Sequence, residues 1–340
     1  MDAKRKKRLI WQVPFLTLLI IGSILIIRQE HNKPYQHCSG VIFGTTYNIT
    51  YQYDSDLHPE IMAQMLQVDS ALSMFNEHSI ISRINRNETV VLNDMFLEVF
   101  LMAQQVSKET DGAFDITVGP LVNAWGFGFK HDELPSDAAV DSLRQLVGYQ
   151  KVSYDGHTIL KQDPRITLDC SAIAKGYGVD IVARFLESKD IKNYLVEIGG
   201  EVATRGVSEK RQSWKIGVAK PSDEATTGNG ELQTVLTITD KAMATSGNYR
   251  NFYYKGGRRY AHTIDPKTGR PVQHNILSAT VLSDHCAQAD AYATSFMVMG
   301  LQRAKQVLEN HPELMAYLIY DDKGHTRIWY STSLKNNIQK

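Results

Sequence analysis

The chain has 340 residues, 43% hydrophobic and 22% charged, an ordinary globular make-up with length for one large domain or two. Its 37 basic and 37 acidic side chains cancel to a formal charge of zero, which excludes the basic excess of a nucleic-acid-binding domain; no nucleic acid is expected as a partner. Three cysteines, Cys38, Cys170 and Cys286, are too few for a disulfide scaffold and have no metal-site spacing.

The N-terminus departs from this average. Residues 1–8 contain the run Lys4-Arg5-Lys6-Lys7-Arg8, and residues 9–27, Leu9 to Ile27, carry no charge. That length approaches what a helix needs to cross a bilayer, and the basic run predicts that the preceding end stays in the cytoplasm. A cleaved signal peptide is the competing reading. The stretch Ile26-Ile27-Arg28-Gln29-Glu30 offers no small-residue cleavage site, so an uncleaved transmembrane anchor is favoured. Residues 28–39 are polar, contain Pro34 and read as a linker. From 40 to 335 apolar patterning continues without a second linker, and 222–232 is the best loop candidate.

Within that stretch, β-branched and aromatic alternation predicts strands at Thr46–Gln52, Lys151–Tyr154, Tyr194–Ile198, Trp214–Val218, Thr234–Thr239 and Ala279–Leu282. Helical periodicity covers about 59–73, 94–110, 173–188, 289–299 and 301–310. Strands and helices do not alternate regularly, so the fold class is α+β.

Four blocks carry candidate chemistry. The first runs from Thr110 to Gly128 and includes Ala113, Phe114 and Asp115. Its glycines permit close backbone approach and its aromatics could pack on a planar ligand; on composition alone a helix-ending turn with a packed loop is the better reading. The second is Leu168 to Asp180. A strand is expected to end near Leu168 and a helix to begin near Ser171, a junction whose free N–H groups attract anions. Lys175 could add positive charge there, or be a solvated lysine; Asp169 could be a ligand, or an N-cap. Gly199-Gly200 follows the strand at Tyr194–Ile198 and strengthens the ligand reading. The third block is Ala244 to Tyr249 with Tyr260 to Pro271. Asp265-Pro266-Lys267-Thr268-Gly269 is a tight turn by its own chemistry, and His262 before it is a candidate general base or a structural histidine. In the fourth, Ala289 to Ser295, Asp290 and Thr294 at i and i+4 share one helix face. Their oxygens suit a hard cation such as Mg²⁺, though a helix-start Asp is also favoured by the dipole.

Taken in order, with Phe43-Gly44-Thr45 and Ser79 to Asn85, these blocks resemble the ApbE family of FAD:protein FMN transferases over about residues 40–320. The resemblance implies a single T-fold-related α+β catalytic domain over 40–335, with mixed or antiparallel sheets, behind the N-terminal transmembrane helix. It implies Mg²⁺ held by Asp290, Thr294 and the carbonyl of Ala172. It implies an FAD site lined by Ala113, Phe114, Asp115, Asp169, Lys175 and Ile264, with Phe43 and Phe75 where relatives often carry Met and Tyr. His262 corresponds to the family's catalytic histidine. FAD would be a substrate, and the partners would be acceptor flavoproteins such as subunits of membrane redox pumps. With the anchor, this implies a single-pass protein of the cell inner membrane whose domain faces the periplasm. The alternatives are an Mg-dependent FAD pyrophosphatase, which uses water in place of the protein hydroxyl, and a non-catalytic flavin carrier.

Overall fold

The computed structural model describes residues 12–23, 33–128, 134–221, 231–248, 252–255, 258–273 and 275–339. Helix α1 is described over 12–23, where its side chains are mostly exposed. The remainder of the stretch expected to form the anchor lies outside the described residues. Among the described residues, no helix is long and apolar enough to cross a membrane.

The domain is built on an eight-stranded antiparallel sheet in the order β1-β2-β5-β6-β9-β14-β15-β16. These strands are β1 Tyr35–Ile42, β2 Thr45–Gln52, β5 Tyr194–Ile198, β6 Glu201–Arg205, β9 Lys241–Gly247, β14 Ile276–Ser283, β15 Met315–Asp322 and β16 His325–Tyr330. Two-stranded ribbons flank it: β3 Val152–Tyr154 with β4 Ile159–Lys161, β7 Trp214–Ala219 with β8 Leu232–Ile238, β10 Phe252–Lys255 with β11 Arg258–Ala261, and β12 Ile264–Asp265 with β13 Arg270–Pro271. The helices are α2 His58–Leu72, α3 Ile80–Asn85, α4 Asp94–Glu109, α5 Gly119–Ala124, α6 Asp137–Arg144, α7 Ala174–Ser188 and α8 Cys286–Asn310. Every strand pair described is antiparallel, which resolves the expected mixed-or-antiparallel choice.

Strand alternation gives the sheet two buried faces. On β15, Ala316 and Leu318 point into the large core beneath α8, whereas Tyr317 and Ile319 join the core under the β7–β8 ribbon. On β9, Ala242 and Ala244 face the helices and Met243 faces the ribbon. The pair α7–α8 lies on the helical face and carries much of the site. Its crossing is close because Gly176 has no side chain: a Cβ there would sit 2.5 Å from the Cys286 carbonyl oxygen. The N-terminus of α8 lacks a side-chain cap of its own. Buried Asp180 of α7 supplies it, accepting from the N–H groups of Cys286 at 2.7 Å and Ala287 at 2.9 Å.

Several boundaries differ from expectation. The linker read at 28–39 ends earlier, because Tyr35 to Ser39 form the first half of β1, paired with Gln52 to Asn48 of β2. β1 is an edge strand, and its polar residues suit that position. The strand expected to end near Leu168 has no ladder partner; instead the Asn85 side-chain amide accepts from Leu168 N–H at 2.7 Å and donates to its carbonyl at 2.9 Å. The helix expected at Ser171 starts at Ala174, after a turn. The two helices expected at 289–299 and 301–310 form α8, broken at Gly300, whose φ of 77° is open to glycine. Of the loop read at 222–232, residues 222–230 lie outside the described residues.

Candidate active site

All four blocks converge on one cavity of about 340 Å³ between the α7–α8 pair, the end of β9, and the loops following α4 and β11. The first block contributes Ala113, Phe114 and Asp115, and the second Asp169, Ala172 and Lys175. The third contributes His262 and Ile264, and the fourth Asp290 and Thr294. Phe75 stands 71% exposed at the rim. A second cavity, of about 430 Å³, adjoins the first; Met74, Phe75, Ser171 and Lys175 line both. Phe43 lines only this second lobe, its ring seated against the bare backbone of Gly178. It is the one expected site residue that does not line the first cavity.

The local folding of each block explains its position. Thr110 to Gly112 are indeed a helix-ending turn. Asp111 and Gly112 have φ of 52° and 72°, and Gly112 N–H closes on the Ser107 carbonyl at 2.7 Å. The turn aims Ala113 to Asp115 at the cavity. Asp115 is buried, and both its oxygens are used within the protein: one accepts from the Thr117 N–H and hydroxyl, the other from Tyr149 N–H at 2.7 Å. Burial still holds its carboxyl above the usual range. The Asp265–Gly269 turn forms as its sequence predicts, with Lys267 N–H on Asp265 Oδ1 at 2.8 Å and Gly269 at φ 70°. Thr263 ties this hairpin to Asn248 at 2.8 Å, and Phe127 meets the His262 ring edge-on at 6.4 Å between centroids.

The anion-binding backbone expected at the start of α7 is largely consumed. Ser171 N–H donates to Asp169 Oδ1 at 2.8 Å, Ala174 N–H to the Cys170 carbonyl and Tyr177 N–H to the Ile173 carbonyl. Asp169 is therefore a turn acceptor rather than the N-cap, and attraction for anions falls to the Lys175 ammonium. Gly176 N–H, which regular helical geometry would direct to the Ala172 carbonyl, goes instead to Asp290 Oδ2 at 3.2 Å. That diversion leaves the Ala172 carbonyl unclaimed by the helix, and Ala172 lines the cavity.

These details test the fit of a cation. Asp290 is 2% exposed and uses only Oδ2 within the protein, keeping Oδ1 for another partner. Thr294 lies one turn further along, its hydroxyl 3.0 Å from Ser246 Oγ. Among the described residues no group of three or more His, Cys, Asp and Glu side chains could hold a metal. One carboxylate, one hydroxyl and one carbonyl are a hard, oxygen-only set that suits Mg²⁺ when waters and phosphates complete the shell. The residues fit.

Sequence reading missed Glu201. It follows the Gly199-Gly200 pair, whose φ values of 64° and 99° make the two-residue β5–β6 turn. Glu201 is 4% exposed, lines the cavity and holds Lys175 Nζ at 3.0 Å through Oε1, while Oε2 has no partner. Lys175 Nζ also lies 3.9 Å from Asp290 Oδ2. Burial would lower the Lys175 ammonium, but Asp290 and Glu201 outweigh it and hold its pKa well above the usual value. Burial pushes Glu201 up to about 7 against the pull of Lys175, and Asp290 adds to the rise. Two buried carboxylates share one ammonium, and a bound cation would favour the ionised form of both. Cys170 and Cys286 are free and buried, their thiols pushed up chiefly by burial, so neither is a nucleophile.

Residues 43–319 match the sequence profile of the ApbE family. A Vibrio cholerae protein named FAD:protein FMN transferase is 36% identical over 97% of this chain and 99% of its own length. A Haemophilus influenzae protein of the same name is 36% identical over 84% of this chain and 87% of its own. The solved flavin transferase ApbE from Vibrio cholerae superposes with a TM-score of 0.82 at 36% identity, covering 90% of this chain and 99% of that one.

Proposed function

The chain belongs to the ApbE family, and on that premise we propose that it is an FAD:protein FMN transferase, moving FMN from FAD to a Ser or Thr hydroxyl of an acceptor flavoprotein with release of AMP. The observation that carries this reading is the convergence of four sequence-distant blocks on one two-lobed cavity, with the ammonium of Lys175 where the lobes meet. A dinucleotide is itself two lobes joined by a charged pyrophosphate.

The roles follow from the chemistry. Ala113, Phe114 and Ile264 offer apolar surface to a planar group and exclude water from it. Lys175 attracts the pyrophosphate. His262 takes the proton of the acceptor hydroxyl. The hydroxyl oxygen then bonds to the FMN-side phosphorus, the bond from that phosphorus to the bridging oxygen breaks, and AMP departs with the electron pair. Asp290, Thr294 and the Ala172 carbonyl would hold Mg²⁺, which neutralises charge building on the phosphates.

The run Lys4–Arg8 before the uncharged 9–27 supports a membrane anchor with the domain on the periplasmic side, where acceptor subunits of membrane redox pumps would be met. The test is co-expression with such an acceptor and mass spectrometry of the intact acceptor. An added FMN on one Ser or Thr, dependent on Mg²⁺ and FAD, is expected. Release of FMN and AMP with no acceptor adduct would instead support the pyrophosphatase.

A further inference from the structure

Lys175 stands between two buried carboxylates of unequal consequence. Asp290 belongs to the proposed cation donor set; Glu201 does not. The ammonium is 3.0 Å from Glu201 Oε1 and 3.9 Å from Asp290 Oδ2. Glu201 therefore holds the cation at hydrogen-bond distance and keeps it just beyond that distance from Asp290. The arrangement is rigid at its base. Glu201 opens β6 directly after a Gly-Gly turn, and its register is fixed opposite Ile198. The backbone at Gly199 closes against the Lys175 stem, with only 3.3 Å between Cδ and the place a Cβ would take. Lys175 Nζ is the side-chain donor to this carboxylate, and Oε2 accepts nothing. Lys175 lines both cavities, and its ion pairs are with Glu201 and Asp290, so a lysine released from Glu201 has Asp290 as its remaining carboxylate neighbour.

We infer that Glu201 is a positioning residue for the transfer reaction: it draws Lys175 away from Asp290, so that Asp290 stays available to the metal and Lys175 to the substrate's phosphates. The inference rests on the reading of Asp290 as a metal ligand. Without the Glu201 charge, Lys175 settles on Asp290 and competes with the cation for the same carboxylate, as a free ammonium competes with Mg²⁺ for any shared oxygen.

The experiment measures Mg²⁺ binding through FAD fluorescence, titrating Mg²⁺ into full-length protein with FAD in the absence of acceptor. Glu201→Gln should raise the half-saturating Mg²⁺ about ten-fold, the usual scale for losing a residue that orients a metal ligand. The same substitution made in a Lys175→Met background should change it less than about two-fold, because the competitor is gone. Equal losses in both backgrounds would mean that Glu201 acts only as distant charge, and the inference would fall. No loss in either background also overturns it. Glu201→Asp, which keeps the charge but recedes by one methylene, gives a second reading should Glu201→Gln not fold: a smaller rise in the same direction is expected, and an unchanged requirement counts against the inference. Asp290→Asn separates the two levels. If it leaves the Mg²⁺ requirement untouched, the metal reading itself has failed. If it raises the requirement while Glu201→Gln does not, only the role of Glu201 has.

Discussion

Gly176 concentrates three functions in one missing side chain, so Gly176→Ala is the most informative small perturbation of the site. The added Cβ would lie 2.5 Å from the Cys286 carbonyl oxygen, 2.7 Å from its carbon and 2.8 Å from Ala287 Cα. All three are backbone atoms, so no side chain can swing aside, and restoring van der Waals distance requires α7 and α8 to part by about 1 Å. Overpacking of this kind costs about 1–3 kcal/mol, and alanine's better helix propensity returns up to about 1 kcal/mol. With the upper end of the cost, as backbone contacts demand, the net is about 2 kcal/mol, or roughly 3 °C in melting temperature for a domain of this size. The same displacement stretches the 3.2 Å bond from Gly176 N–H to Asp290 and the caps from Asp180 to Cys286 and Ala287. It also moves Asp290 away from the Ala172 carbonyl, so the half-saturating Mg²⁺ should rise about 10–100-fold. Melting by circular dichroism and Mg²⁺ titration of FAD binding read the two effects. Gly178→Ala is the control: its Cβ meets the Phe43 ring at 2.6 Å, and a ring can turn, so the melting loss should be smaller. Gly176→Ala that melts and binds Mg²⁺ like the parent would refute the account of the helix crossing.

His262→Ala should slow FMN transfer by about 10²–10⁴-fold while FAD affinity and melting temperature hold; loss of all three in parallel would make the histidine structural. Glu201 has a pKa raised by burial from 4.5 to about 7, so it binds its proton more tightly folded than unfolded. Its contribution to stability is present in full below pH 4.5 and is lost as pH rises through about 7, and Glu201→Gln should flatten that limb of melting temperature against pH in metal-free protein. A truncation beginning at Lys33 keeps β1 whole and should be soluble and active, whereas one beginning at Gly40 removes Tyr35 to Ser39 from the ladder with β2 and should melt several degrees lower, a comparison that scanning calorimetry decides.

Much of the fold was legible because its signals are local. Tyr194–Ile198 alternates against two cores, and the α8 break falls at the one glycine in its pattern. The Asp265–Gly269 turn follows from residues that each favour it. What escaped reading was decided by distant partners. β9 reads Lys-Ala-Met-Ala-Thr-Ser-Gly, with Thr245 its one β-branched residue, and its small residues let α8 lie close upon it. The stretch before Asp169 looked like a strand by composition, yet its pairing is supplied by the side chain of Asn85, some eighty residues earlier. Expected edges shifted for the same reason: β1 is polar because one of its sides faces no strand.

The site shows the same division. Asp290 and Thr294 could be paired from i, i+4 spacing alone, since a helix brings them together whatever else the chain does. Glu201 could not. Its importance comes from a Gly-Gly turn that delivers it across the sheet edge to a lysine 26 positions earlier, and from a second oxygen left without a donor. The Ala172 carbonyl is similar: it is free because Gly176 N–H is taken by a carboxylate 114 residues away. A spacing rule can nominate a metal ligand, but the charge around that ligand is set by contacts between segments far apart in the chain. Lys175 is the residue through which those contacts meet, and this is why its two carboxylate distances, 3.0 and 3.9 Å, carry more about the chemistry than the motif in which it was first noticed.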